Sequence, residues 1–133
     1  MFKYLLDSGP LSGYLIGTRK AQNVITPWIA NKEVVTSNLV YAEVHEFILG
    51  FKDYYKWNNQ LLSIVFGPIP ALNLDHAVLR RYGEIRNYLR PRNELIGDID
   101  TLIAATALEH DISIVTNNVR HFSRVPGLSV IPY

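Results

Sequence analysis

Hydrophobic and polar positions along the chain switch repeatedly between short apolar runs and helically spaced patterns. An apolar run over residues 2–6 is stopped by Asp7-Ser8-Gly9-Pro10, which are turn residues, so it predicts a buried strand ending at Asp7. Residues 11–31 carry a helical pattern that Pro27 should break, because proline has no N–H to give inside a helix. Thr26 as N-cap with Pro27 at the first helical position predicts a fresh start there. Residues 34–36 predict a second strand. Ser37 then caps a helix on which Val40, Val44, Phe47 and Ile48 fall at helical spacing before Gly50 stops it. Another helical stretch runs over 52–66 into Gly67-Pro68.

A short third strand is expected over 69–72, after which Asp75 can cap a helix with Val78, Tyr82, Ile85 and Leu89 on one face and Pro91 at its end. Residues 97–110 predict a further helix, where Leu102, Ile103 and Ala107 are apolar and Ala104 and Ala105 are small enough for close packing. Strands over 112–115 and 128–131 complete the series. Strands that alternate with helices are usually parallel and joined by right-handed crossovers. The pattern therefore predicts an α/β fold, a central mostly parallel sheet flanked by helices, in one domain over residues 1–133.

Composition narrows the function. With 48% hydrophobic and 19% charged residues among 133, the chain can bury a core and is not expected to be disordered. There is no Cys, which removes disulfides, a thiolate zinc site and a Cys nucleophile together and suits a reducing, cytoplasmic setting. Asp7 interrupts the first apolar run, so no signal peptide is expected, and no window approaches the ~20 apolar residues of a membrane span. The net charge of +1 hides a split: residues 51–95 hold seven Lys/Arg against four acids, while residues 96–133 hold two against four. Two readings stand for that split, solvated faces with no task or an anion-binding role.

Sites on open parallel sheets form beyond the carboxyl ends of the strands. Sorted by that rule, Asp7 follows the first strand, Glu43 lies in the second turn of the helix after the second, Asp98 and Asp100 open the helix over 97–110, and Asn117 and Asn118 follow the strand ending near Thr116. Hard divalent cations such as Mg²⁺ prefer oxygen ligands and keep several waters, so a few carboxylates without His or Cys are a suitable ligand set. Each residue also has a plainer reading. Asp7 and Asn118 are turn formers, and Asp98 and Asp100 suit the helix dipole. Glu43 sits among apolar helix positions and needs a partner there. None of His45, His76, His110 and His121 stands in a recognisable ligand spacing, so they read as packing or surface residues.

The pieces Tyr4-Leu5-Leu6-Asp7-Ser8, Thr36-Ser37 with Ala42-Glu43, the run from Ile96 through Asp98, Asp100 and Thr101 to Ala105, and Val115-Thr116-Asn117-Asn118-Val119-Arg120-His121-Phe122 occur in order. Together they resemble a PIN-domain ribonuclease, most closely the VapC-type toxins of type II toxin–antitoxin pairs, over nearly the whole chain. The resemblance implies a three-layer PIN-like sandwich and a Mg²⁺-dependent endoribonuclease, with Mn²⁺ as substitute, that leaves 3′-hydroxyl and 5′-phosphate ends. It assigns catalytic positions to Asp7, Glu43, Asp100 and Asn118, with metal held by Asp7, Asp100 and Glu43, and accessory places for Asp98, Ser8 and Thr116. It also implies a cognate antitoxin, an RNA substrate and a homodimer; the aromatic stretch Tyr54, Tyr55 and Trp57 reads either as the association surface the resemblance implies or as a wide core face. Arg80, Arg81, Arg86 and Arg90 then read two ways, as contacts for RNA phosphates or for a partner's carboxylates. The sequence departs from the family at Gly9, where the usual opening Asp-Thr-Asn has an amide, and at Asn118, often Asp, which adds no charge for a second metal.

Other chemistries fit less well. Asp98-Ile99-Asp100-Thr101 matches the nucleophile loop of haloacid-dehalogenase-type phosphatases, but only residues 102–133 follow it, too few for the motifs that should come after. A phosphoacceptor receiver domain needs a late Lys, and the last one is Lys56; no Gly-rich Walker loop exists. The competing reading from another class is a catalytically silent PIN-like binding or assembly module.

Overall fold

The computed structural model describes residues 1–133. Five strands form one sheet: β1 (Tyr4–Leu6), β2 (Val34–Ser37), β3 (Ala71–Leu72), β4 (Ser113–Thr116) and β5 (Val130–Pro132). Their order is β3-β2-β1-β4-β5 and every pairing is parallel, so the expected mostly parallel sheet is wholly so. Tyr4 pairs with Val34 on one side and Ser113 on the other. Leu5, Leu6, Val34, Val35, Ile114 and Val115 are buried, as the inner strands of a sheet covered on both faces require.

Seven helices flank it: α1 (Ser8–Ile16), α2 (Arg19–Ala30), α3 (Asn38–Ile48), α4 (Tyr54–Val65), α5 (His76–Leu89), α6 (Asp98–Glu109) and the short α7 (Val119–Phe122). Ser37 and Asp75 cap α3 and α5 as their positions suggest, accepting from the backbone N–H of Leu39 and Val78. The strands β3 and β5 are shorter than the expected 69–72 and 128–131, and one helix start lies elsewhere than expected. Helix α2 runs through Pro27 without restarting, and the break falls at Gly17, in the left-handed region at φ +80°, followed by Thr18, which accepts from Ala21. Tyr4 stacks on Trp28 with ring centroids 4.0 Å apart, holding the last turn of α2 against the sheet beyond the proline. After α5 the chain makes a 3-10 turn over Arg90–Arg92 and leaves it through Asn93 at φ +55°.

The chain adds strands outward from β1 to β3, then crosses back to place β4 on the other side of β1. The carboxyl ends of β1 and β4 thus meet at a topological switch point, where open parallel sheets leave a crevice.

Candidate active site

Asp7 leaves β1 at that crevice and is only 7% exposed. It stands at the N-cap of α1, yet its carboxylate caps nothing. It turns instead to the neighbouring strand, where the Thr116 hydroxyl donates to Oδ2 at 2.7 Å, and the same hydroxyl accepts from the Asn118 backbone N–H at 2.8 Å. Burial raises the Asp7 pKa above its ordinary value, opposed by the bonds from Thr116 and the Ser8 backbone, and Asp100's charge adds to the rise. Ser8 contributes that backbone N–H, and its side chain lines the pocket described below.

Glu43 arrives on the second turn of α3. Its Oε1 is buried and has no hydrogen-bond partner. Burial, then the charges of Asp7, Asp100 and Glu46, push its pKa up from 4.5 to about 7. Asp100, in the first turn of α6, accepts from the Asn118 side-chain amide at 3.2 Å. Four segments distant in sequence therefore deliver Asp7, Glu43, Asp100 and Asn118 to one edge. An open pocket of about 520 Å³ adjoins it, lined by Ser8, Gly9, Ser12, Glu43, Val44, Glu46 and Phe47. Gly9 matters to its shape: a Cβ there would come 2.5 Å from Asn117 Nδ2, so the bare glycine lets that amide lie over the start of α1.

Three findings revise the sequence reading. His121, read there as packing or surface, belongs to the cluster: its Nδ1 lies 2.8 Å from Asn118 Nδ2 and 3.4 Å from Asp100 Oδ2. Its signal was the three-residue spacing from Asn118, but its second partner is twenty-one residues away and could not be read along the chain. Asp98, expected as an accessory, faces the other way, because residues two apart point to nearly opposite sides of a helix. Its Oδ1 accepts from Tyr82 and Arg86, each at 3.0 Å. The arginines also separate: Arg81 is paired with Glu109 at 3.0 Å and Glu84 at 3.7 Å, Arg86 with Asp98, and Arg80 and Arg90 with no acid. Among the aromatics of α4, Tyr54 donates to or accepts from His45 and is half-buried, as is Trp57, while Tyr55 is exposed.

Donor chemistry favours a hard cation. All three carboxylates offer oxygen, the charges of Asp7 and Asp100 help raise the Glu43 pKa and that of Asp100 adds to the rise at Asp7, and Glu43 carries an oxygen that nothing on the chain satisfies. As they stand, no three of the acidic and imidazole side chains close a ligand cage.

Fold and site define the class: a doubly wound α/β domain with carboxylates gathered at its switch point. A family model described as PIN domain matches residues 4–128, and the chain belongs to that family. It is 30% identical over 98 residues to ribonuclease VapC2 of Rickettsia felis, covering 74% of this chain and 72% of the relative. To the tRNA(fMet)-specific endonuclease VapC of Shigella flexneri it is 40% identical over 60 residues, covering 45% of this chain and 46% of that one. Among solved structures, VapBC2 from Rickettsia felis bound to a promoter DNA fragment superposes with a TM-score of 0.86 at 23% identity, covering 99% of both chains. DNA-bound VapBC from Salmonella typhimurium does so with a TM-score of 0.87 at 20% identity, covering 99% of this chain and 98% of that one. These two likenesses establish the fold.

Proposed function

We propose that this protein is a metal-dependent endoribonuclease and acts as the toxin of a type II toxin–antitoxin pair. The observation that carries the reading is the unsatisfied Glu43 oxygen, buried beside Asp7 and Asp100 at the switch point. Family membership and relatives named as VapC ribonucleases support it. Asp7, Glu43 and Asp100 would hold Mg²⁺, or Mn²⁺ in its place, and the bound ion would supply a water of lowered pKa and a positive charge against the phosphoryl oxygens.

The chain's own residues do the rest. Thr116 fixes the rotamer of Asp7, and the Asn118 amide fixes that of Asp100, so both carboxylates are set before substrate arrives. Glu43, whose pKa is pushed to about 7, can exchange a proton near neutrality. The 520 Å³ pocket gives a phosphodiester access to this edge. Phe47, Leu49, Tyr55 and Phe66 are exposed apolar side chains on or beside α3 and α4, and they suit an antitoxin or a second copy of the chain. No helix is long and apolar enough to cross a membrane.

The test is cleavage of RNA by the purified chain in Mg²⁺, its loss in EDTA, and 5′-phosphate ends on the products. Asp100→Asn should lower the rate by at least about a hundredfold, since a ligand's charge is worth several kcal/mol in the transition state. An Asp100→Asn chain that cleaves at the wild-type rate in saturating Mg²⁺ would place the chemistry elsewhere. A wild type that cuts no RNA with either cation would leave the silent binding module.

A further inference from the structure

Beside the acidic edge, on α5, lies a strip that the site does not use. Tyr82 and Arg86 stand four residues apart on one face of α5, and Arg90, four further on at the helix C-cap with helical φ and ψ, continues that line into the 3-10 turn. The Arg86 guanidinium lies 5.6 Å from the Tyr82 ring centroid, and both side chains bond the same Asp98 oxygen. The bond to Asp98 raises the Tyr82 pKa, while the charges of Arg86 and Arg90 lower it, which places Arg90 within electrostatic reach of the same group. Helix α5 runs antiparallel to α6, as two pairs show: Arg81 meets Glu109 at the far end of α6 and Arg86 meets Asp98 at its start, two residues from Asp100. The strip therefore runs toward the end of α6 that carries Asp98 and Asp100, and Arg90 is its outermost cation. Arg80 lies on the opposite side of α5, Arg81 is paired with acids, and Arg92 covers the Tyr88 ring at 3.6 Å.

An edge of carboxylates repels a polyanion unless cations beside it hold the phosphates. Arg86 is shaped for that task. Only 23% of its side chain is exposed and it already grips one carboxylate oxygen, so a phosphate oxygen can take the same place on the guanidinium. Asp98 is 69% exposed, so giving up that bond returns its charge to water. Tyr82 is half-buried against the core, and the part of its ring left exposed beside the Arg86 guanidinium offers an aromatic contact to an unpaired base.

We propose that Tyr82, Arg86 and Arg90 form the subsite that holds single-stranded RNA next to the acidic site, with Asp98 as a counter-charge that occupies Arg86 until phosphate displaces it. This rests on the ribonuclease reading above and deepens it. Asp98 is then a positioning residue that opposes binding, which gives the proposal a signature of its own: removing Asp98 helps RNA bind, and helps most when Arg86 is present.

Binding is read on the full chain in EDTA, by fluorescence anisotropy of a labelled single-stranded RNA oligonucleotide, and cleavage by initial rates in Mg²⁺. Arg86→Gln and Arg90→Gln should each weaken binding about tenfold and make its salt dependence shallower by about 0.7 for each phosphate no longer held. In cleavage the loss should appear in KM rather than kcat. Tyr82→Leu should weaken binding roughly tenfold while Tyr82→Phe retains it, because stacking belongs to the ring. Asp98→Asn should tighten binding several-fold, and that gain should shrink in the Arg86→Gln background. Equal gains in both backgrounds, or losses confined to kcat, would overturn the proposal. So would unchanged RNA affinity in the arginine variants together with weakened binding of an acidic peptide, which would make the strip a protein-docking surface. Wild-type cleavage with indifferent variants removes the strip and keeps the ribonuclease. Strip-dependent RNA binding by a chain that cuts nothing keeps the strip and removes the ribonuclease.

Discussion

At the scale of single residues, Glu43 carries the strongest tension. A carboxylate among apolar helix positions asks for a partner, and the structure supplies three more carboxylates instead, Asp7, Asp100 and Glu46. This much was legible, because the acids stand at strand ends or in the helix turns that follow them, where the sheet's geometry collects side chains. What was not legible is direction. Asp98 and Asp100 look equivalent in the first turn of α6, and only the packing of α5 shows that one faces Arg86 and the other Asn118. The place of His121 in the cluster is not legible along the chain, because its partner Asp100 is close in space alone. The tension at Glu43 has a measurable sign. Its folded pKa of about 7 lies above the ordinary 4.5, so the protonated form favours folding, and stability present below 4.5 is lost as pH rises through about 7. Asp7, also raised by burial, acts in the same direction. In EDTA the wild type should therefore melt at progressively lower temperature across that window, and Glu43→Gln should flatten the decline. Parallel melting curves for the two chains at every pH would mean that Glu43 is not under this strain.

Elements follow their own local rules, and the sequence is readable wherever one rule acts alone. Ser37 and Asp75 cap the helices their positions announce, and Gly50 follows closely on the end of α3. Where two rules compete, reading fails. Pro27 is a strong breaker and Gly17-Thr18 a good stop-and-start pair, and the structure breaks only at the pair, because the stacking of Trp28 on Tyr4 ties the turn after the proline to the sheet. The short β3 and β5 were located but not bounded, since two or three residues at a sheet edge have no period to read. A cap that acts alone should give an ordinary cost when removed. Asp75→Ala leaves the Val78 N–H unpaired at the start of α5 and should lower the unfolding free energy by about 1 kcal/mol in urea titrations, with Asp75→Ser restoring most of it. No difference between Ala and Ser would show that α5 is held by its packing on α6 alone.

For the whole molecule, the decisive feature is strand order, which no local pattern encodes. Alternating strands and helices imply a parallel sheet, but the order β3-β2-β1-β4-β5, and with it the meeting of β1 and β4, is settled by long-range packing. That meeting brings Asp7 within 2.7 Å of Thr116, more than a hundred residues away, and sets Asp100's charge against Asp7 and Glu43. Folding the chain thus compresses like charges at one edge, an unfavourable term that a bound cation would cancel. Anything that binds only the folded form raises stability by mass action, by about 2.7 kcal/mol when the ligand stands a hundredfold above its Kd. Mg²⁺ or Mn²⁺ should accordingly raise the melting temperature of the wild type, by an amount that grows with the logarithm of cation concentration. The Asp7→Asn, Asp100→Asn double variant should lose that response and, in EDTA, melt above the wild type, because the repulsion that the cation relieves is already gone. The two halves of the expectation fail separately. Equal cation shifts in both chains would put the metal away from the switch point, and a double variant that melts below the wild type in EDTA would show that the bond between Asp7 and Thr116 outweighs the repulsion.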